Sequence, residues 1–513
     1  MRRYIVENLP LTYKDINQIM IDNAKLFENK DFIVDLNQGN RITFSQFNYY
    51  CNKVANFLKD MGLKEEDKIS VIGDNSIETM IIFFGVLKYG AVINPINREE
   101  SKENIYHIVS RVRPKFVIYD SSFDINKANT QIVWIPFSHY TNNETEGQKS
   151  FFSFIKNYED VFQNQIGNKN DIAEIIFTSG TTEKPKGVVI GREALFYMVQ
   201  EVIDKLHLTE NDRMLEYRAY SWASTQLLSI LSSLTKGATL FLAKKFARSK
   251  FSEWIKQNDI TISSGVPTVI NILVSDPVDL HRKNATSLKF ITSSSAPLSK
   301  EQHRKFEEIY GIPIKQMMGM SEAGWMIGNP PENSKFGSVG TAFKYKRLRI
   351  IDDNGQDCKV GEEGELLIAG KSMGAGYLTE NGGIDKFPDE GFRTGDLAYM
   401  DSDGYVFISG RKKDLIIRGG INISPMEITN RILEHAYVND AVVLGIPDKI
   451  YGEEVGCFIA PKQGFEINEE DIIKHCKNTL PDFKVPKRII FLETIPKTKR
   501  GKFRKQDLLN MVG

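Results

Sequence analysis

The sequence is poor in cysteine, and its cysteines form no recognisable pattern. Only four occur in 513 residues, and they are widely separated, with no Cys-x-x-Cys pair: Cys51, Cys358, Cys457 and Cys476. This spacing argues against a disulfide framework and against a zinc site. It favours a reducing cytoplasmic setting in which each cysteine packs as a small apolar residue.

Long apolar runs are also missing. The most apolar stretch, residues 80–93, contains a lysine and two glycines, and it is far shorter than the roughly 20 residues that a membrane span requires. We interpret it as a buried helix followed by a turn. Residues 1–15 are basic, but they lack the continuous apolar stretch and the cleavage site of a secretory signal. We therefore expect a cytoplasmic protein without integral membrane association.

The sequence has no excess of charge of either sign. Lys plus Arg and Asp plus Glu number 66 each, so the bulk charge gives no reason to expect a nucleic acid or an anionic membrane as a partner. With 41% hydrophobic and 26% charged residues, the composition is that of an ordinary globular protein. The chain length predicts two or more domains.

The order of helical and strand patterns predicts an α/β fold. Up to residue 320, amphipathic helices alternate with short β-rich runs such as "DKISVIG" and "ATLFLAK", which indicates parallel-type sheets with helical crossovers. From 335 to 410, strands separated by Gly and Asp-Gly turns predict an antiparallel or barrel-like section. The mixed pattern then returns for about 100 residues, enough for a small α+β domain. We therefore divide the chain into an N-terminal domain, 1–410, and a small C-terminal domain, 411–513.

A loop rich in hydroxyl groups, glycine and lysine occupies residues 178–187, "TSGTTEKPKG". Its glycines allow backbone N–H groups to approach a ligand, and its side chains add hydrogen-bond donors and positive charge. Phosphate oxygens are therefore the ligand that this loop suits best. The same composition also suits a solvated surface turn. The loop does not match GxxxxGK[ST], because Lys186 precedes Gly187, and no GxGxxG follows an early strand. A P-loop enzyme and a dinucleotide-binding fold are therefore disfavoured.

Six motifs in a fixed order carry a family resemblance. They are "FTSGTTEKPKGV", "MMGMSEAG", "GELLIAG", "RTGDLAY", "GRKKDLIIRGGINISPMEIT" and "PKTKRGK". Together they resemble the adenylate-forming superfamily of acyl-CoA synthetases, luciferases and peptide-synthetase adenylation domains, and they look closest to acid–CoA ligases. A weaker pattern at residues 62–76 and 85–97 extends the resemblance over nearly the whole chain.

The resemblance implies a site for ATP and Mg²⁺. The hydroxyl-rich loop would wrap the triphosphate through Thr178, Ser179, Gly180, Thr181, Thr182 and Lys186. Glu322 and Thr178 would be Mg²⁺ ligands, since this hard cation prefers oxygen. Asp396 would bind the ribose hydroxyls, and Arg411 the ribose or a phosphate. The adenine would pack against residues of two segments, which are Ser294, Ser295, Ala296, Met318, Gly319 and Ser321.

The resemblance also implies two half-reactions at one site. Lys502 would bridge the substrate carboxylate and the α-phosphate, where a fixed ammonium stabilises the charge that develops on the phosphoryl oxygens. Lys413 would be the hinge about which the C-terminal domain rotates. Gly419 and Gly420 would then line a narrow path for the pantetheine thiol of CoA, although they also suit a plain hairpin turn. Without the resemblance, Lys502 is one of several cations in a basic tail.

The resemblance also points to segments that would line the acyl pocket. Their residues here are mostly apolar and predict an adaptable lining: Trp222, Val266, Met317, Met318, Met320, Trp325 and Met326. Trp222 serves equally well as core packing. Met318 and Ser321 depart from the tyrosine and threonine that are common in the family. Because no acidic side chain is placed to meet an α-ammonium group, we expect a fatty or aryl acid rather than an amino acid.

The leading interpretation is an ATP-dependent acid–CoA ligase that forms acyl-AMP and pyrophosphate and then acyl-CoA and AMP. An alternative enzyme would load a carrier-protein phosphopantetheine, because both thiols share the same pantetheine arm. Nothing in the sequence supports a luciferase-like oxygenase. A degenerate nucleotide-binding regulator would be expected to have lost key residues, and all of these are present: Lys186, Glu322, Asp396, Arg411 and Lys502.

Overall fold

A computed structural model describes residues 11–64, 66–124, 132–138, 151–163, 168–178, 184–497 and 503–512. The strands in these ranges are β1 (Asp31–Asp35), β2 (Arg41–Thr43), β3 (Lys68–Gly73), β4 (Val92–Asn97), β5 (Phe116–Asp120), β6 (Val133–Phe137), β7 (Ile172–Phe177), β8 (Gly187–Gly191), β9 (Arg213–Glu216), β10 (Thr239–Leu242), β11 (Ile262–Ser263), β12 (Phe290–Ser293), β13 (Ile314–Met320), β14 (Gly324–Gly328), β15 (Thr341–Ala342), β16 (Lys346–Ile351), β17 (Gly364–Gly370), β18 (Gly376–Leu378), β19 (Ile384–Lys386), β20 (Phe392–Met400), β21 (Val406–Arg411), β22 (Ile416–Arg418), β23 (Ile421–Ile423), β24 (Val438–Asp448), β25 (Gly452–Pro461) and β26 (Arg488–Phe491).

Helices flank these strands along the whole chain. The α-helices are α1 (Ile16–Leu26), α2 (Phe44–Asp60), α3 (Ile77–Tyr89), α4 (Lys102–Val112), α5 (Phe151–Ile155), α6 (Arg192–Leu206), α7 (Ala223–Thr225), α8 (Leu231–Lys236), α9 (Arg248–Gln257), α10 (Pro267–Ser275), α11 (Lys300–Tyr310), α12 (Pro425–Leu433), α13 (Glu469–Lys477) and α14 (Lys505–Leu509). A π-helical turn, Gln226–Ile230, joins α7 to α8, and 3₁₀ turns occupy Lys412–Asp414 and Asp482–Lys484.

Two large sheets form most of the N-terminal part. One has the strand order β15-β14-β13-β12-β11-β9-β10-β1-β2, and its run from β13 to β1 is parallel throughout. The other has the order β19-β18-β8-β7-β4-β3-β5-β6 and is parallel from β7 to β6. The alternating pattern therefore predicted both the α/β class and the parallel pairing correctly, because parallel neighbours need a crossover between them.

The region predicted to be barrel-like is an antiparallel sheet in the order β16-β17-β20-β21. Within the described ranges, no pairing between β16 and β21 closes this sheet into a barrel. Instead, Val406, the first residue of β21, forms an isolated β-bridge with Gly340, which directly precedes β15. The turn residues predicted the antiparallel direction correctly, but a turn does not determine whether the two edge strands meet.

Residues from 416 onwards form a separate five-stranded sheet. Its order is β23-β22-β25-β24, with β26 beside β25. Two hydrophobic clusters of this part draw all their residues from positions 416 to 512. These separate cores support a small C-terminal unit, although the limits 1–410 and 411–513 stay a prediction.

The most apolar stretch of the sequence forms α3 and the turn after it. Ser76 caps the helix, because its hydroxyl accepts a hydrogen bond from the Thr79 N–H at 3.2 Å. Every residue of α3 is buried, and Gly90 ends it with a φ of 109°, a left-handed value that suits glycine. Among the helices in the described ranges, none is long and apolar enough to cross a membrane.

A buried carboxyl group lies in the middle of the eight-stranded sheet. Glu174 on β7 is 1% exposed, and neither of its carboxyl oxygens has a hydrogen-bond partner within the described ranges. Burial raises the pKa of Glu174 from 4.5 to about 8, because the charged form loses its hydration without gaining a partner. The folded protein therefore holds this proton more tightly than the unfolded chain does.

We expect Glu174→Gln to remove a pH-dependent loss of stability. Between pH 4.5 and about 8 the carboxyl group is ionised in the unfolded chain but protonated in the folded protein, so stability falls as pH rises through this window. At pH 8 the variant should gain on the order of a few kcal/mol over the parent, and little at pH 4.5. Chemical denaturation across this pH range measures the difference.

Glu253→Gln, on the exposed side of α9, is the matched control for this prediction. It should leave the pH profile of unfolding unchanged. Parallel profiles for the parent and the Glu174 variant would contradict the assigned pKa.

Candidate active site

The hydroxyl-rich loop is closed at its base by two hydrogen bonds. The Thr178 N–H donates to the Lys186 carbonyl at 2.9 Å, and the Lys186 N–H donates to Thr178 Oγ1 at 3.2 Å. These contacts continue the antiparallel pairing of β7 and β8, so the two ends of the loop lie side by side. The remaining predicted phosphate-binding residues lie outside the described ranges, and their contacts stay a prediction: Ser179, Gly180, Thr181 and Thr182.

Tyr377, which is not among the predicted site residues, connects Lys186 with Glu322. Lys186 Nζ lies 5.8 Å from the centroid of the Tyr377 ring, and the Tyr377 hydroxyl donates to Glu322 Oε1 at 2.6 Å. Burial, followed by the Glu322 carboxylate, raises the pKa of Tyr377, so the phenol stays protonated and can donate. One tyrosine thus has a cation near its ring and a carboxylate at its hydroxyl group.

This arrangement lies where three sheets meet. Tyr377 belongs to β18, which pairs with β8 beside the loop, whereas Glu322 lies in the turn between β13 and β14 of the nine-stranded sheet. The Tyr377 ring also lies 6.5 Å from the ring of Phe392, the first residue of β20 in the antiparallel sheet. Elements far apart in sequence therefore converge on one place.

The oxygen atoms here fit Mg²⁺. Glu322 is 7% exposed, and its carbonyl accepts a hydrogen bond from the Gly374 N–H at 2.8 Å, which fixes the turn that presents the carboxylate. No group of three or more His, Cys, Asp or Glu in the described part of the chain could form a metal cage. Mg²⁺ is usually held by one or two carboxylates together with phosphate oxygens and water. The Glu322 carboxylate, which lies beside the Tyr377 hydroxyl, supplies one carboxylate of this kind.

The two residues predicted to bind ribose form an ion pair. Asp396 on β20 lies opposite Arg411 on β21, and Arg411 Nε donates to Asp396 Oδ1 at 2.7 Å. Asp396 is only 5% exposed, while the Arg411 side chain is 47% exposed. A carboxylate oriented in this way can accept hydrogen bonds from two adjacent hydroxyl groups.

The segment predicted to face the adenine follows β12 at the carboxyl end of a parallel strand. Ser295 has a φ of 73°, in the left-handed region that residues other than glycine rarely adopt. Such strain concentrates at functional sites, and ligands of open α/β sheets bind outside the carboxyl ends of the strands. Ser294 and Ala296 flank this bend, and β12 pairs with β13, which carries Met318 and Gly319.

Gly319 is required by the hairpin that carries Glu322. A Cβ atom at this position would lie 2.5 Å from the Gly324 carbonyl oxygen. Ser321, predicted to lie near the nucleotide, is half-buried in the turn after β13.

The residues predicted to line one acyl pocket lie on two faces of the β13–β14 hairpin. Met317 and Trp325 are buried in the largest core cluster, whereas Met318 and Met320 pack with the cluster beneath the antiparallel sheet. Strand geometry accounts for this division, because successive side chains point to opposite faces. Met326 is buried in the second of these clusters.

The other two predicted pocket residues lie elsewhere. Val266 precedes α10 and packs against a third cluster, and Trp222 is half-buried just before α7.

A buried polar network, also missed from the sequence, lies at the carboxyl ends of β9, β11 and β12. Arg218 donates to Glu216 from Nε at 3.0 Å and from Nη2 at 2.7 Å. The Ser229 and Ser264 hydroxyls donate to the same carboxylate at 2.6 and 2.7 Å. Arg218 Nη1 lies 3.4 Å from the Ser294 hydroxyl, which links this Glu216 network to the predicted adenine segment.

The predicted hinge residue Lys413 lies in the exposed 3₁₀ turn that directly follows β21. The residues on either side of it are held by ion pairs. Lys412 Nζ lies 2.9 Å from an Asp353 carboxylate oxygen, and Lys505 Nζ lies 2.6 Å from one of Asp414. An exposed turn between ion-paired neighbours is compatible with a pivot, whose role stays a prediction.

Gly419 and Gly420 form the turn between β22 and β23. Their φ angles of 55° and 84° are left-handed, so the hairpin alone accounts for both glycines. The Gly419 N–H donates to the Tyr451 carbonyl at 2.8 Å.

Lys502 lies outside the described ranges. The residues that bound its segment are Lys497 and Phe503, which form a bridge, and Lys497 Nζ lies 2.6 Å from an Asp440 carboxylate oxygen.

Comparison with known proteins agrees with this geometry. A family profile described as "AMP-binding enzyme" matches residues 21–378, and one described as "AMP-binding enzyme C-terminal domain" matches residues 427–502. The chain belongs to the AMP-binding enzyme family. The resemblance seen in the six motifs is thereby confirmed, as is the prediction of an enzyme of the acid–CoA ligase type.

Several relatives cover nearly the whole length of this AMP-binding enzyme. It is 31% identical over 463 residues to an oxalate–CoA ligase of Arabidopsis thaliana, which covers 88% of this chain and 90% of the relative. It is 28% identical over 510 residues to a sulfoacetate–CoA ligase of Cupriavidus necator, covering 98% of each. The crystal structure of ATP-bound MatB from Rhodopseudomonas palustris matches with a TM-score of 0.87 at 25% identity, covering 97% of this chain and 99% of MatB.

Proposed function

We propose that this AMP-binding enzyme is an acid–CoA ligase that uses ATP and Mg²⁺ and releases AMP. The observation that carries the proposal is that Lys186, at the base of the hydroxyl-rich loop, and Glu322 both lie beside Tyr377. A cation and a carboxylate beside a loop of hydroxyl and N–H donors suit a metal-bound triphosphate. The CoA-ligase relatives support the same conclusion.

In the first half-reaction, a carboxylate oxygen of the acid attacks the α-phosphorus of ATP, and the bond to the bridging oxygen of the β-phosphate breaks. Lys186 and the loop would hold the leaving pyrophosphate, while Asp396 and Arg411 would fix the ribose and so position the α-phosphorus. Lys502 would stabilise the negative charge that develops on the phosphoryl oxygens. Mg²⁺, held by Glu322 and Thr178 with phosphate oxygens and water, would supply charge neutralisation at the triphosphate.

In the second half-reaction, the CoA thiol attacks the acyl carbon and AMP leaves, with the thiol proton passing to solvent or to AMP. The C-terminal unit would rotate about Lys413 between the two steps, and Gly419 and Gly420 would then line the path of the pantetheine arm. Both residues of this turn are exposed and have no Cβ atom, so a slender ligand can pass close to the backbone.

Incubation with ATP, Mg²⁺, CoA and a panel of acids, followed by mass spectrometry, tests this proposal. We expect an acid-dependent thioester together with AMP. The panel should include fatty and aryl acids, which the sequence favours. It should also include short polar acids such as oxalate and sulfoacetate, for which two of the relatives are named. Thioester formation only on a phosphopantetheine carrier protein would favour the carrier-loading alternative, and AMP release without any acid turnover would contradict both.

We also propose that the enzyme works in the cytoplasm. All four cysteines are free, and burial raises the pKa of Cys476 to about 11 and shifts those of Cys51 and Cys457 upwards as well. Unpaired thiols kept in their protonated form suit a reducing compartment.

A further inference from the structure

A small cavity lies between the start of α1, the end of α3 and the start of α6. Its walls are mostly apolar and include Ile16, Leu87 and Ala173. Its volume of about 30 Å³ is room for about two water-sized groups. Ala173 is near the start of β7, and Arg192, which also lines the cavity, directly follows β8. The cavity is therefore at the end of the β7–β8 pair opposite to the hydroxyl-rich loop.

The main polar group of this cavity is the guanidinium of Arg192. Its side chain is 4% exposed, and Nη1 donates to the Leu87 carbonyl at 3.4 Å. Within the described ranges, neither Nε nor Nη2 has a hydrogen-bond partner. These two nitrogens share one edge of the guanidinium, and this edge matches the two oxygens of a carboxylate. The cavity therefore contains a buried edge that is suited to a planar group with two oxygen atoms.

Arg218 shows how the same edge is used elsewhere in this chain. Its Nε donates to one oxygen of Glu216 at 3.0 Å, and its Nη2 donates to the other at 2.7 Å. Both arginines are buried, with 2% and 4% of their side chains exposed. In the described part of the chain, only the edge of Arg218 has this carboxylate partner. The edge of Arg192 is thus suited to a carboxylate that these residues do not supply.

The Asp15 carboxylate also lines the cavity, but it is engaged with other groups. Oδ1 accepts a hydrogen bond from the Asn17 N–H at 2.8 Å and so caps α1. Oδ2 accepts one from the Tyr13 hydroxyl at 3.1 Å and lies 3.6 Å from Arg192 Nη1. Burial, followed by the Asp15 charge, raises the pKa of Tyr13, so this hydroxyl stays a donor. Asp15 therefore balances the Arg192 charge from the Nη1 side.

A cation lies at the edge of the cavity. The Lys14 side chain is 47% exposed and pairs with Asp22, so the cavity reaches the surface beside an ammonium group. A positive group at an entrance favours the approach of an anion. A carboxylate only accepts hydrogen bonds, whereas a water bound to the same edge also needs acceptors for its two O–H groups. Asp15, the charged acceptor of the lining, already has two donors.

We propose that this cavity binds a small carboxylate anion, which the Nε and Nη2 atoms of Arg192 hold through both of its oxygens. The volume suits formate or acetate, with the hydrogen or methyl group against the apolar walls, and it is too small for benzoate. So few atoms provide an affinity in the millimolar range. The site is separate from the candidate active site, and its occupation requires neither ATP nor the proposed ligase function.

Thermal unfolding of the full-length protein without ATP tests this proposal. Sodium formate or sodium acetate is added up to about 50 mM, and sodium chloride keeps the ionic strength constant. We expect a saturable rise in the melting temperature of about 1 to 3 °C, and no rise with benzoate. Arg192→Met should abolish the response. Arg192→Lys should also weaken it, because an ammonium group lacks the planar edge.

A second variant keeps Arg192 and removes the space beside it. Ala173→Val fills part of the cavity from a strand position that tolerates a β-branched residue, so it should also remove the response. Arg304→Met is the matched control, because this arginine is exposed on α11 and pairs with Glu301. It should respond to formate as the parent does.

Crystals grown with sodium formate provide a direct observation. We expect a planar three-atom group against Nε and Nη2 of Arg192. Water alone at this edge, or density for formate without a saturable response in solution, overturns the proposal. An equal response in Arg192→Met and Ala173→Val, or with benzoate, overturns it as well, because the anion then binds elsewhere. If Arg192→Met does not fold, the Ala173 variant and the crystals decide. Loss or presence of ligase activity does not change this result.

Discussion

Replacing Lys502 with alanine is expected to lower acid-dependent exchange of pyrophosphate into ATP by about two to four orders of magnitude. The exchange reports the first half-reaction alone. The expected loss reflects removal of the ammonium that would stabilise the charge developing at the α-phosphoryl group. Thermal unfolding should be unchanged, because the lysine is assigned to the reaction and not to the core.

Lys499→Ala is the matched control, since it removes a neighbouring lysine from the same basic segment. It should retain nearly normal exchange. Equal rates for the two variants would mean that Lys502 takes no part in adenylate formation and is only one of the cations in the tail.

Replacing Lys413 with proline is expected to separate the two half-reactions. Proline fixes φ near –65° and so opposes a large backbone rotation in the 3₁₀ turn Lys412–Asp414. Formation of the adenylate, measured as pyrophosphate exchange, should stay within about threefold of the parent, while thioester formation should fall by about two orders of magnitude or more. Single-turnover measurements of each step provide both values.

Lys413→Ala distinguishes rotation from a role of the side chain. It removes the ammonium but leaves the backbone free, so both half-reactions should proceed at near-parental rates. If the proline variant lost both half-reactions equally, rotation about this residue would no longer explain how one site serves two steps.

The sequence was most informative where function depends on local order. Short sequence motifs indicate Lys186, Glu322 and the pair Asp396 and Arg411. The structure places Lys186 and Glu322 beside Tyr377 and joins Asp396 to Arg411 by an ion pair. The α/β class could also be predicted, because alternating helices and strands leave parallel pairing as the simplest arrangement. These features depend on short segments in which the residue types alone indicate the chemistry.

Contacts between distant segments could not be predicted in the same way. Tyr377 lies in "GAGYL", a stretch without a cluster of charged or hydroxyl side chains, and it gains its role only because β18 pairs with β8 beside the loop. Glu216 and Arg218 are close in sequence, yet their burial depends on how β9, β11 and β12 align. No local pattern reveals a partner that is supplied by another strand.

The predicted pocket residues of one motif lie in two apolar clusters. Met317 is buried in the largest core cluster, and Met318 and Met320 pack with the cluster beneath the antiparallel sheet. This division follows from strand geometry, because neighbouring residues of a strand point to opposite faces. Which of these side chains line an acyl pocket stays a prediction.

The most direct test of the account is a single-turnover reaction with the acid preferred in the panel, started without CoA. We predict one pyrophosphate and one enzyme-bound acyl-AMP for each active site, and conversion of that adenylate to acyl-CoA and AMP when CoA is added. Formation of ADP or orthophosphate, or release of AMP at the same rate without the acid, would contradict the claim that this site joins a carboxylate to the α-phosphate of ATP.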